Sequence, residues 1–395
     1  MALYYQVGIS FIVIALFARL AKLTKSFFAP FYIVAGILVG PFTLGLVTNK
    51  EIIGLFADIG VVFLLFYLGF EFSFNKLIKH KKIMAIAGST DFIINFSIGL
   101  FVGWIIGLDL FNMFALAGII YMSSSGIITK TLIQLKAIND PEGELIMGIM
   151  IFEDLFMVLF LVFITIFSKF TGQVEWTALG IDIALALIFC FVLLIIGKKY
   201  HKYLDMILKS DSQEIVYLSF LGLVFIVTTI GMKMGVSEAL GAFFIGLAVA
   251  ESDYCESVEE VALNFRDIFG SMFFFYFGLN FQLTNLESMM KILIFAITLA
   301  IIGKIISSLL INIILKHSRE RGLLMGLITV SRGEFSLLIA GIIGNEVFNF
   351  QAFSIILILV TTIVSTLGFR VAKILCREQN LCLLPQVHLD KEFFD

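Results

Sequence analysis

The sequence predicts an all-α membrane protein with about thirteen transmembrane helices. Of its 395 residues, 60% are hydrophobic and only 14% are charged, and the mean hydropathy is +1.05. Soluble chains of this length do not have such a composition. Two further observations support the prediction: the apolar stretches have the length of membrane spans, and the chain contains an internal repeat.

The apolar stretches are each roughly 17–25 residues long, which is the length of an α-helix that crosses a bilayer. In order, the predicted spans 1 to 13 cover residues 3–20, 29–46, 52–70, 83–107, 113–134, 143–168, 175–197, 211–232, 236–252, 261–281, 289–315, 320–343 and 350–375.

The basic residues predict how these spans are oriented. Most of the 27 lysines and arginines fall in or beside alternate connections and the C-terminal tail, while Lys50, Lys169, Lys233 and Lys291 fall in or beside the opposite connections. Cytoplasmic loops carry the excess of basic residues. We therefore expect the N-terminus outside the cell and the C-terminus in the cytoplasm.

Two pairs of similar segments indicate an inverted repeat. "FYLGFEFSFNKL" (66–77) resembles "FYFGLNFQLTNL" (275–286), and "GIIYMSSSG" (118–126) resembles "GLITVSRGE" (326–334). Each pair is seven spans apart, and an odd number of spans reverses the direction of the chain. Spans 1–6 and 8–13 are thus predicted to be inverted repeats with span 7 as the connector.

Polar residues lie close to the centres of four spans, where each ionisable side chain costs roughly 2.5–3.5 kcal/mol on insertion-based scales. They are Ser123, Ser124 and Ser125 in span 5, Glu153 and Asp154 in span 6, Lys304 in span 11, and Ser331, Arg332, Gly333 and Glu334 in span 12. We expect spans 5 and 12 to be interrupted at these residues and to cross near the midplane. Arg332 and Glu334 are the candidates for compensating the partial charges of the helix ends.

These residues also have purely structural interpretations. The serines can bond to carbonyl groups of their own helix, and Arg332 and Glu334 can form a structural pair. Glu153 can be a structural partner of Lys304. We predict that Glu153 and Lys304 form an ion pair when the cation site is empty, because an unpaired buried charge is strongly unfavourable.

Several motifs in their order and spacing resemble the monovalent cation:proton antiporter-2 family. They are "YIVAGILVGPFTLGL" in span 2, "IGVVFLLFYLGFEF" in span 3, "FED" in span 6, "ALGAFFIGLAVAES" in span 9 and "GEFSLLIA" in span 12. The resemblance covers residues 3–375. It implies a sodium/proton antiporter-like fold with a dimerisation scaffold and a mobile core.

By this resemblance the chain divides into six segments. They are scaffold helices at 1–82, core helices at 83–168, a connector at 169–210, scaffold helices at 211–288, core helices at 289–375 and a short cytoplasmic tail at 376–395. The family's ion-binding carboxylate matches Asp154, and its membrane-embedded basic residue matches Lys304. Relatives commonly carry Asp, Asn or Gln at the position of Glu153, so this glutamate departs from the family pattern.

The resemblance implies a secondary antiporter that exchanges Na⁺ or K⁺ for H⁺ at Asp154. Glu153 would take part, and oxygen atoms of Ser123–Ser125 would complete the ion shell. We expect a homodimer in the cell membrane, with no cofactor, no nucleic-acid partner and no enzymatic activity. A separate cytoplasmic regulatory subunit is left open.

Three other functions fit the sequence less well than antiport. An ion-coupled symporter of an organic anion would need anion donors, of which only Arg332 is available. An intramembrane hydrolase would need facing carboxylates, whereas neighbouring residues on one helix point about 100° apart. A passive channel fits the inverted repeat less well than alternating access does.

Overall fold

The computed structural model describes residues 2–24, 26–72, 81–135, 140–168, 176–210, 212–282, 286–345 and 347–378. Within these ranges the secondary structure is entirely helical. The helices are α1 (Ala2–Leu23), α2 (Phe28–Val39), α3 (Lys50–Glu71), α4 (Lys81–Ile105), α5 (Leu110–Tyr121), α6 (Ser125–Leu135), α7 (Pro141–Phe167), α8 (Trp176–Leu208), α9 (Gln213–Lys233), α10 (Glu238–Val249), α11 (Cys255–Leu279), α12 (Leu286–Ile314), α13 (Arg319–Thr329), α14 (Glu334–Ile343) and α15 (Phe350–Glu378).

These helices follow the order of the predicted spans. Helices α5 and α6 together occupy span 5, and α13 and α14 together occupy span 12 with a bend of 49° between them. In the described residues, nine spans are long and apolar enough to cross a membrane, and the bent pair makes a tenth. The all-α membrane fold is thus confirmed, whereas the count of thirteen crossings stays a prediction.

The helices that differ from a full apolar span are short or charged. Helices α2 and α10 have only 12 residues each. Helix α11 is 25 residues long, but its first half carries the acidic residues Glu256, Glu259 and Glu260. The predicted tail at 376–395 lies outside the described residues except for its first three positions.

By its contacts the chain forms two compact units, each assembled from separate segments. The first unit takes Met1–Lys76, Phe156–Thr284 and Leu337–Ile355. It contains packed aromatic rings. The ring centroids of Phe63 and Phe265 are 5.0 Å apart in a tilted arrangement, and those of Phe66 and Phe220 are 5.0 Å apart in an edge-to-face arrangement. Such rings bury large apolar areas and keep the helices of this unit together.

The second unit takes Leu77–Leu155, Asn285–Ser336 and Ile356–Asp395. It contains both helix interruptions and all of the predicted midplane residues. Helix α4 carries a π-helical turn at Met84–Gly88, and such turns are frequent near functional sites. The assignment of segments to a scaffold and a mobile core stays a prediction.

Candidate functional site

The site is built around the two interruptions, which cross as predicted. Residues 122–124 separate α5 from α6, and residues 330–333 separate α13 from α14. The Ser124 N–H donates to the Ser331 carbonyl at 2.9 Å, and the Ser336 hydroxyl donates to the Ile119 carbonyl at 2.9 Å. The freed backbone groups of one interrupted helix are therefore partly satisfied by the other.

Gly333 lets the two interruptions approach this closely. A β-carbon at position 333 would lie 2.6 Å from both Cβ and Oγ of Ser124, well inside van der Waals contact. A residue with a side chain would push the crossing apart.

Arg332 lies at the C-terminal ends of two helices and is fully buried. Its Nε donates to the carbonyl of Ile120 in α5 at 2.7 Å. Its Nη1 donates to the carbonyls of Val330 at 2.6 Å and Thr329 at 3.3 Å, at the end of α13. A cation is favourable there because the carbonyl ends of helices carry partial negative charge.

Glu334 lies at the N-terminal end of a helix, whereas Arg332 contacts C-terminal ends. It is the first residue of α14, where a carboxylate is favoured by the positive helix end. The Ser124 hydroxyl lies 3.5 Å from its Oε2, which is a long hydrogen bond.

Glu153 of α7 is buried beside the first interruption. Its Oε1 lies 2.6 Å from Lys304 Nζ and accepts the Ser123 hydroxyl at 2.9 Å, and its Oε2 accepts the Ser123 N–H at 2.7 Å. The predicted ion pair between Glu153 and Lys304 is confirmed. Both the N–H and the hydroxyl of Ser123 thus donate hydrogen bonds to the Glu153 carboxylate.

Asp154 is the next residue of α7, and its side chain is more exposed than that of Glu153. Its side chain is partly exposed, while that of Glu153 is almost fully buried. Ser125, the first residue of α6, is also partly exposed. The site therefore combines a buried, paired carboxylate with a neighbouring carboxylate that is more accessible.

Lys304 has a second carboxylate partner that the sequence analysis missed. Its Nζ lies 2.6 Å from Oδ2 of Asp91 in α4, and both side chains are fully buried. Asp91 is an ionisable residue inside an apolar span, which is the signal that would have identified it.

Direct contacts join Ser123, Glu153 and Lys304 to one another, and Ser124 to Glu334. Arg332 and Ser123 both donate to the Thr329 carbonyl. Ser125 and Asp154 adjoin them in the chain. Carboxylate and hydroxyl oxygens of this kind suit a hard cation. They can also bind a proton in its place.

The comparisons with known proteins agree with this architecture. Residues 9–376 match the family model described as sodium/hydrogen exchanger, transmembrane. The chain is 34% identical over 392 residues to a protein named K(+)/H(+) antiporter subunit KhtU of Bacillus subtilis, covering 96% of this chain and 95% of that one. It is 28% identical over 347 residues to the ammonium/H(+) antiporter subunit AmhT of Alkalihalophilus pseudofirmus, covering 86% of each.

Among solved structures, the fold is similar to that of the sodium proton antiporter MjNhaP1 from Methanocaldococcus jannaschii. The TM-score is 0.71 at 20% sequence identity, and the match covers 96% of this chain and 99% of the other. The family model spans nearly all the helices described above, and the matches to the two relatives named above cover 95% and 86% of those proteins. The chain therefore belongs to the sodium/hydrogen exchanger family of transmembrane transporters.

Proposed function

We propose that this chain is a secondary antiporter that exchanges a monovalent cation for protons, with Asp154 as the residue that binds them in turn. A carboxylate can hold a cation or a proton but not both at once. Because the cation and the proton compete for this one carboxylate, the flux of one is coupled to the flux of the other. Alternating access would expose that group to one side of the membrane at a time.

The observation that carries this proposal is the contrast between Glu153 and Asp154. Glu153 is buried and held by Lys304 and Ser123. Asp154, one residue on, is partly exposed at the level of the helix crossing. Partial exposure gives an ion access to a carboxylate at this depth.

The surrounding charges support a cation as the substrate. Arg332 is directed to carbonyl groups at helix C-terminal ends, and Glu334 begins α14. We assign these two residues the role of compensating the helix-end charges, and Lys304 the role of balancing the buried carboxylates. The cation would then be bound by the oxygen atoms of Asp154, Glu153 and Ser123–Ser125.

Na⁺ and K⁺ are the cations that we propose. The relatives carry names with potassium, ammonium or sodium as the exchanged cation. Their names agree on exchange against protons and differ in the cation. The departure of Glu153 from the usual residue types makes this chain's own selectivity a matter for measurement.

The remaining features of the proposal concern assembly and location. We propose a homodimer in the cell membrane with its N-terminus outside and its C-terminus in the cytoplasm, based on the distribution of basic residues. Residues 1–82 and 211–288 would form the dimer scaffold, and residues 83–168 and 289–375 the moving core. A separate regulatory subunit fits the word "subunit" in the names of two relatives.

The rival symporter of an organic anion is not supported. The relatives named above are antiporters of cations and protons. Arg332, the anion donor that this rival needed, already donates to three carbonyl groups and is fully buried.

Exchange assays in proteoliposomes test the proposal. The purified protein is reconstituted, a pH gradient is imposed, and Na⁺, K⁺ or Li⁺ is added outside across a series of pH values. We expect at least one cation to dissipate the gradient in a saturable, pH-dependent manner. Dissipation that depends on an organic anion, or none with any of the three cations, would reject the proposal.

A further inference from the structure

Asp91 is a buried carboxylate that the mechanism above does not use. Its Oδ2 lies 2.6 Å from Lys304 Nζ, on the same ammonium group that Glu153 contacts at 2.6 Å. Its Oδ1 accepts the Ser307 hydroxyl at 2.6 Å and the Asn95 side-chain amide at 3.0 Å. One lysine is therefore shared by two carboxylates.

Helix packing holds Asp91 and Lys304 together. Gly303 precedes Lys304 in α12, and a β-carbon there would lie 2.5 Å from Cδ1 of Ile98 and 2.7 Å from Oδ1 of Asn95. The absence of a side chain at position 303 lets α12 approach α4. Asp91, Asn95, Lys304 and Ser307 are all fully buried at this contact.

The two carboxylates differ in what lies beside them. Asp91 and its donors Asn95 and Ser307 lie on the regular helices α4 and α12. Glu153 lies next to Asp154 and is bound to Ser123 in the interruption between α5 and α6. A cation at Asp154 would thus lie close to Glu153 and would compete with Lys304 for its carboxylate.

We propose that Asp91 is a positioning residue that keeps Lys304 paired while Glu153 turns from Lys304 to the bound cation. This inference rests on the proposed function. Without Asp91, the departure of Glu153 would leave a buried ammonium group with no carboxylate partner, which is strongly unfavourable. With Asp91 in place, Lys304 keeps one partner, and the cation gains a second carboxylate beside Asp154.

The other contact of Lys304 is consistent with this role. Its Nζ lies 5.4 Å from the ring centroid of Tyr121 in α5, a distance at which a cation is attracted to the aromatic face. Lys304 therefore has two neighbours besides Glu153, namely the carboxylate of Asp91 and the ring of Tyr121.

Cation binding to purified protein tests the proposal, with the melting temperature at rising Na⁺ or K⁺ concentration giving an apparent Kd. Four proteins are compared: wild type, Asp91→Asn, Lys304→Gln and the double variant. We expect Asp91→Asn to raise the Kd roughly tenfold in the wild-type background. In the Lys304→Gln background the same change should alter the Kd by less than about twofold, because Asp91 acts through Lys304.

Two outcomes would overturn the proposal. One is a Kd for Asp91→Asn equal to that of wild type. The other is the same loss of affinity in both backgrounds, which is expected if Asp91 only supports the packing of α4.

A pair of neighbouring serines keeps the test valid if Asp91→Asn does not fold. Ser307 and Ser308 are both fully buried in α12, but only Ser307 donates to Asp91, and the Ser308 hydroxyl has no hydrogen-bond partner among the described residues. We expect Ser307→Ala to raise the Kd by about threefold and Ser308→Ala to leave it unchanged. Equal values for the two variants would reject the role of Asp91.

The exchange assay separates this inference from the proposed function. If the wild-type protein fails to exchange any of the three cations, the proposed function is rejected. If the wild type exchanges cations but Asp91→Asn binds them normally, only the role of Asp91 is rejected.

Discussion

Glu153 and Asp154 are neighbours in sequence with different surroundings. Glu153 is enclosed by Lys304 and Ser123, while Asp154 is partly exposed. Adjacent helical side chains point about 100° apart, so one turn of α7 can direct one carboxylate inward and present the other to an ion. The double acidic sequence thus places a buried, paired carboxylate next to a more accessible one.

Removing the charge of Glu153 should change exchange without abolishing it. In Glu153→Gln, Lys304 still pairs with Asp91, so the protein should fold and insert. Asp154 should still exchange ions, but with an altered pH dependence and a higher KM for the cation, because one carboxylate next to the site is lost. Initial exchange rates in proteoliposomes over a pH series measure both effects. A pH profile and KM identical to those of the wild type would show that Glu153 is purely structural.

Sequence reasoning identified several residues of the site but missed Asp91 and the contacts of Arg332. Glu153, Asp154 and Lys304 stand out because ionisable side chains are rare in apolar spans. Asp91 carries the same signal in span 4, but its contact with Lys304 depends on how α4 and α12 pack, which the sequence does not show. The acceptors of Arg332 could not be predicted, because backbone carbonyl groups of another helix have no sequence signature.

At the scale of elements, the two interrupted helices depend on Arg332 and Gly333. Arg332 satisfies carbonyl groups of both α5 and α13, and Gly333 permits close contact with Ser124. The interruptions were predictable from the repeated polar segments. Their hydrogen bonds required the structure.

Replacing Arg332 with lysine should destabilise the contact between the two interrupted helices. Arg332→Lys keeps the charge but loses the planar group that reaches Ile120, Val330 and Thr329 together. Each hydrogen bond lost by a charged group is worth about 1.5–3 kcal/mol. We expect a lower melting temperature of the purified protein and reduced exchange. An unchanged melting temperature would mean that the carbonyl contacts of Arg332 contribute little.

A pair of glycines tests the closeness of the crossing. Gly333→Ala places a β-carbon 2.6 Å from Ser124, whereas Gly126→Ala in α6 meets nothing within 4 Å. Overpacking of this kind costs about 1–3 kcal/mol. Gly333→Ala should therefore lower both melting temperature and exchange rate, while Gly126→Ala should leave both near wild type. Equal behaviour of the two variants would contradict the close contact.

At the scale of the whole molecule, the composition and the spacing of apolar stretches were enough to predict an all-α membrane fold. They were not enough to establish the number of crossings. Helices α2 and α10 are short, α11 is charged in its first half, and two spans are interrupted. Apolar length alone cannot distinguish a short crossing helix from a buried segment.

The distribution of basic residues makes a prediction about the whole chain. A reporter fused to the C-terminus should be active only in the cytoplasm, and a tag at the N-terminus should be accessible only from outside. Labelling of intact and permeabilised cells measures both. Termini on the same side would mean an even number of crossings, so the count of thirteen spans would be wrong.

If Asp154 alone binds cation and proton in turn, the variant Asp154→Asn should lose exchange. The variant is reconstituted beside the wild type, with its melting temperature and its yield in the membrane as controls for folding. The amide cannot take up the proton or balance the cation, so we predict no cation-dependent dissipation of a pH gradient in proteoliposomes at any pH. Wild-type exchange by Asp154→Asn would contradict the account.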